Sequence, residues 1–210
     1  MTTKSAVETD DTVLSRLDQA LFRVESALTL LGGITIFALV CLAVVHVLSR
    51  KFLNAPVPGF VDWTEQFMAI FAFLGLSYTQ REGGHIRMDI VVSFLKGRWL
   101  WFAEFLSVLF MLLITTALIY GTWYHFLRSF DLNAPLFSRD SSIDIALPLW
   151  PAKFLVTFSM LLLWLRLALQ LWAYGRAIRT GAEHPVAVPL IETAAEAAER
   201  EAASVGAIDE

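Results

Sequence analysis

Two charged residues stand inside apolar runs, where charge is expensive. Glu104 lies roughly 7 Å past Trp99 and Arg166 roughly 12 Å before Tyr174, at 1.5 Å per helical residue. Charges in lipid pair with one another or snorkel to the interface. Glu104 and Arg166 are therefore expected to pair, or both to reach the cytoplasmic interface. A proton relay is the sharper reading, but relays need several such groups. Asp62 and Glu65 stand three apart after Pro58-Gly59, a spacing that resembles a capping box. Both would sit at the positive end of a helix dipole. A partner contact or an ion-linked carboxylate is the functional alternative, and the residues leave both open.

His46 and His125 occupy matching places in a local echo. Residues 46–56 read HVLSRKFLNAP and 125–135 read HFLRSFDLNAP, with six of eleven positions identical. Internal repeats occur in many transporters, but the flanks do not match, so parallel selection on helix ends is the plainer reading. Two histidines at one depth could ligate haem axially. Interfacial histidines whose polar edge meets water are the ordinary alternative. The single cysteine, Cys41, permits no intrachain disulfide and no multi-cysteine zinc site. It reads as a small apolar packing residue. The chain has no GxxxxGK[ST], no HExxH, no nucleophile elbow and no Rossmann fingerprint. No catalytic, cofactor-binding or metal-binding residue is assigned.

The elements that must carry these residues are membrane helices. Of 210 residues, 57% are hydrophobic and only 17% charged, so lipid is the expected solvent. The net charge of -4 argues against a nucleic-acid partner. Four stretches reach the length of about 20 apolar residues that a bilayer demands: about 28–49, 61–80, 99–120 and 148–174. Acids precede the first of them, unlike a signal peptide, so that run is expected to stay as an anchor. Arg50, Lys51, Arg128 and Arg139 lie in two of the loops, against ten Lys and Arg in the N-terminal segment, loop 81–98 and tail. That asymmetry places both ends in the cytoplasm. Trp63, Trp123, Tyr124 and Trp150 then mark the outer interface, and Trp99, Trp101, Trp172 and Tyr174 the inner one.

The expected fold is an all-α integral membrane protein with four transmembrane helices. Residues 1–27 form a cytoplasmic N-terminal segment, 28–174 the membrane domain and 175–210 an acidic cytoplasmic tail. The apolar patch in the central loop is either a short interfacial helix or an extension of the third span. Four spans are few for an alternating-access carrier, so the chain reads as a subunit.

The region from the end of span one to the start of span three resembles the small membrane subunit of tripartite ATP-independent periplasmic (TRAP) transporters, the DctQ-like family. The resemblance rests on Arg50 to Pro58, Trp63-Thr64-Glu65, Phe73-Leu74-Gly75 and, most specifically, Arg81 to Asp89. The family often has two adjacent acids where this chain has Thr64-Glu65. The resemblance implies an auxiliary, non-enzymatic subunit of the bacterial inner membrane, without cofactor. Its implied partners are a large multi-span subunit and a periplasmic substrate-binding protein, in sodium-driven uptake of a small organic solute, often an organic acid. A haem-binding anchor of an oxidoreductase is the alternative from another class. Arg50, Lys51, Asp62, Glu65, Arg128, Arg139, Asp140 and Asp144, with Asp131, are candidate contacts to partners through complementary charge. Ordinary solvated loop charge is the alternative for each. Gly32, Gly33, Ala72 and Gly75 are candidates for close helix packing. Arg81, Gly84, His85 and Asp89 are expected to tie down the cytoplasmic turn, with Gly84 supplying backbone freedom.

Overall fold

The computed structural model describes residues 12–82, 98–180 and 188. The described residues are helical, with no β-sheet among them. The first helix, α1 (Val13–Leu48), starts where the Thr12 side chain accepts from the Ser15 backbone N–H at 3.4 Å. Its 36 residues span about 54 Å, well beyond a hydrocarbon core of about 30 Å. It therefore begins 15 residues ahead of the expected start of span one, and residues 13–28 form an arm ahead of that expected run. The helix ends in a π-type turn, Ser49–Leu53, closed by Asn54 in the left-handed conformation (φ 51°), which Asn tolerates better than most residues.

The second expected span is two helices, α2 (Phe60–Leu74) and α3 (Leu76–Arg81), separated at Gly75. Together they run about 22 residues, roughly 33 Å. The capping box does not form: no side chain caps α2, whose first turn starts from the backbone of Gly59. Gly59 sits at φ +66°, and a Cβ there would lie 2.4 Å from Ile145 Cδ1, so only glycine fits.

Helix α4 (Arg98–Ser129) leads through the 130–149 loop into α5 (Trp150–Thr180); this end of the bundle is called outer and the opposite end inner, after the sidedness expected from the sequence. Three helices are long and apolar enough to cross a bilayer: Val13–Leu53 with its π-type turn, Leu100–Ser129 and Trp150–Thr180. Their most apolar stretches are 6%, 17% and 44% buried. Helix α5 is thus the packing centre, and α1 gives nearly all its apolar surface to whatever surrounds the protein. Lipid is as apolar as leucine, so contacts among the helices rest on close packing and polar pairing. Leu163, Leu167, Ala173 and Ala177 of α5 meet Trp101 and Val108 of α4 in the core. Trp101 stacks on Tyr174 with ring centroids 6.1 Å apart, so both belong to the core and not to an interfacial belt. Gly32 lets α1 approach α2, near Phe71 and Leu74. Gly33 and Gly75 have nothing within 4 Å of a would-be Cβ, and Gly75 marks the break instead. The proposed central-loop helix, Gly84, His85 and Asp89 lie outside the described residues.

Candidate functional site

Polar chemistry gathers at the two ends of the bundle. The inner site forms because α1 continues past its apolar run. Asp18 and Glu25 are seven residues apart, two turns, and so share one face of α1. That face lies against α5 at Arg166, which is fully buried. Arg166 Nε donates to Glu25 Oε1 at 2.9 Å and Nη2 to Glu25 Oε2 at 2.5 Å, a bidentate fork, while Nη1 bonds Asp18. The break at Gly75 brings α3 into the same place. Arg81 Nη2 donates to Asp18 Oδ2 at 2.9 Å and Nη1 to Glu82 Oε1 at 3.1 Å. The Arg81 guanidinium lies 4.0 Å from the centre of the Phe22 ring, close enough for a cation–π contact. Ser77 Oγ bonds Glu25. Gln80 Nε2 donates to Gln170 Oε1 at 2.8 Å, and Gln170 Nε2 returns to the Gln80 carbonyl at 3.3 Å.

Two buried carboxylates thus face two buried guanidiniums. Guanidiniums stay protonated in proteins, and their bonds to the two carboxylates clasp α1, α3 and α5 together. This corrects the expected pair of Glu104 and Arg166. Glu104 is buried on α4, but all three guanidinium nitrogens of Arg166 turn to Asp18 and Glu25. The reason is the arm of α1, which brings two carboxylates to α5 where a solvated segment was expected. Asp18, Glu25, Ser77, Gln80 and Gln170 were missed. The available signal was the seven-residue spacing of two acids ahead of an apolar run holding none.

The outer site centres on Asp62. Its Oδ2 accepts from Ser142 Oγ at 2.6 Å, from the Asp144 N–H at 3.1 Å and from the Ile145 N–H at 2.9 Å. Gln66 Nε2 donates to the Pro148 carbonyl at 3.2 Å. Asp62 therefore pins the outer loop to α2, where a cap on its own helix was expected. Asp140 is held below the ordinary carboxylate range, first by Lys153, whose Nζ lies 2.7 Å away, and then by Ser129. The Asn133 N–H and then Arg139, at 2.9 Å, lower Asp131 likewise. Lys153 also donates to Ser129 Oγ at 3.1 Å. Arg50, Lys51, Glu65, Arg128 and Asp144 have exposed side chains on this end, and Lys51 lies 5.9 Å from the Phe52 ring centre. His46 and His125 line separate cavities, and His46 stacks on Phe60 at 4.0 Å. Among the described residues, no group of His, Cys, Asp and Glu has the arrangement of a metal site.

Both sites join elements to one another: the first ties α1 and α3 to α5, and the second ties the α4–α5 loop to α2. Residues 39–175 match the family described as Tripartite ATP-independent periplasmic transporters, DctQ component. The chain belongs to the DctQ family. It is accordingly a non-enzymatic transporter component and a multi-span protein of the inner membrane. No curated protein sequence matches closely enough to add a relative. The match takes in α2, α3, α4, the outer loop and most of α5, but only the last third of α1. Asp18 and Glu25 lie ahead of it, whereas their partners Arg81 and Arg166 lie within it.

Proposed function

We propose that this DctQ chain is an immobile frame: it packs against the large multi-span subunit of its transporter and helps to dock a periplasmic substrate-binding protein. The four-span plan has both termini in the cytoplasm, with α2 and α3 together forming the second span. The inner clasp then lies at the cytoplasmic end and the Asp62 loop at the periplasmic end. The assembly takes up a small organic solute, a carboxylate by class, with a sodium gradient.

One observation carries this reading. The buried charges Asp18, Glu25, Arg81 and Arg166 bond one another across helices, which suits a part that must keep its shape while another part moves. The exposed apolar side chains of α1, among them Leu30, Ile34, Phe37 and Val44, supply a wide face for lipid and the large subunit. At the periplasmic end, Arg128, Asp144 and the Arg139–Asp131 pair offer charge of both signs for docking. Affinity purification of the tagged chain from native membranes in mild detergent tests the proposal. A large membrane protein and, when solute is present, a periplasmic binding protein should co-elute. Recovery of the chain alone from membranes that contain both would count against it.

A further inference from the structure

The loop between α4 and α5 has two unlike halves. Residues 132–137, Leu-Asn-Ala-Pro-Leu-Phe, carry no charge. Leu132, Leu136 and Phe137 are 71%, 66% and 51% exposed. Leu136 and Phe137 hold left-handed backbones (φ 54° and 58°), which L side chains adopt only when their surroundings impose them. The surroundings here are the outer ends of α4 and α5. Trp150 Nε1 donates to the Leu136 carbonyl at 2.9 Å, the Asp131 N–H to the Phe137 carbonyl at 3.1 Å and the Arg139 N–H to the Ser129 carbonyl at 2.9 Å. A ladder of rings runs from the helices into this segment. Trp123 to Phe126 is 5.4 Å, Phe126 to Phe130 is 5.5 Å and Phe130 to Trp150 is 5.5 Å. Trp and Tyr collect at the headgroup level of membranes, and Trp123, Tyr124 and Tyr120 are exposed at this end of α4. The second half differs in charge and in anchorage, not in exposure: Ile143, 98% exposed, stands between Asp140 and Asp144, and its neighbours Ser142 and Asp144 bond to Asp62 on α2.

We propose that residues 132–137 lie in the periplasmic headgroup–acyl boundary as a short wedge, with Leu132, Leu136 and Phe137 among lipid chains, while Ile143 stands in water. The uncharged sequence, the three exposed apolar side chains and continuity with the aromatic girdle point to a lipid surface as the occupant. An apolar edge with a polar handle on Trp150 is the form interfacial anchors take.

Nitroxide labels at Leu132→Cys, Phe137→Cys and Ile143→Cys, in a Cys41→Ser chain reconstituted in phosphatidylethanolamine–phosphatidylglycerol vesicles, read the depth directly. Collision with oxygen relative to a nickel chelate should be at least threefold higher at 132 and 137 than at 143. Equal ratios at the three sites would overturn the proposal. The unsubstituted chain supplies a second readout that no folding defect can spoil. A phospholipid carrying a diazirine near its glycerol should leave adducts within 132–137 and not within 140–145. Adducts in neither stretch, or only in the second, would overturn it too. Nickel exclusion that arises only after the large subunit or the binding protein is added would show that a protein covers the segment, and would likewise refute the lipid assignment.

Discussion

Taking the charge from Arg166 leaves Asp18 and Glu25 with only Arg81 to balance them. Arg166→Gln is therefore expected to destabilise the chain by about 3–5 kcal/mol, as breaking a buried ion pair does. Glu25→Gln strands half of a guanidinium and should also destabilise. The double variant keeps Asp18 opposite Arg81 and removes one charge of each sign, so its loss should be clearly smaller than the sum of the two singles. Thermal unfolding in detergent gives the comparison; strictly additive losses would mean that the two residues do not act as a pair. At the other end, Asp140 and Asp131 have folded pKa values below the unfolded value of about 3.9. Their contribution is present above that value and is lost as pH falls through the lower folded values. A spin label at residue 143, whose side chain is 98% exposed, should report an unchanged loop from pH 8 to 5 and loosening only below about pH 4. Glu104 and Arg166 were legible as costly intramembrane charges, but their partners were not. Hydropathy shows where a charge is expensive, whereas the carboxylate that answers it sits about 140 residues away on a helix arm that reads as solvated.

Gly59 and Gly75 bound α2, and the structure assigns them opposite tolerances. At Gly59 an alanine meets a left-handed backbone, costing roughly 1–2 kcal/mol, and also the Ile145 side chain. At Gly75 the backbone is right-handed (φ -86°) and the space is open. Gly75→Ala should change stability by less than about 1 kcal/mol, with helix propensity on its side. The break between α2 and α3 should persist, because Ser77, Gln80 and Arg81 hold α3 to the inner clasp. Unfolding midpoints measure the first contrast, and a label-to-label distance across residue 75, compared with that in the unsubstituted chain, measures the second. A changed distance in Gly75→Ala would show that glycine, and not the clasp, makes the break. The long apolar runs at 28–49, 99–120 and 148–174 located α1, α4 and α5, because bilayer length is a strong signal. Their ends were set too short, since hydropathy stops at charges while helices continue through them. The break at Gly75 left no mark, because a glycine in an apolar run signals a bend no better than a close contact.

For the whole molecule, the resemblance carried by Arg81 to Asp89 and the Arg50 to Pro58 stretch reached the family, and the four-charge clasp is what would hold the proposed frame in shape. A frame contributes to transport by being present and rigid, so damage to it should lower the number of working assemblies and leave each survivor unaltered. The decisive measurement is sodium-driven uptake, in vesicles holding this chain, its large subunit and the binding protein, of the solute which that binding protein captures. With Arg166→Gln, maximal uptake should fall in proportion to the assembled complex recovered, while KM for sodium and for solute stays unchanged. Uptake by this chain without its companions, or a shifted KM for sodium at undiminished assembly, would contradict the account.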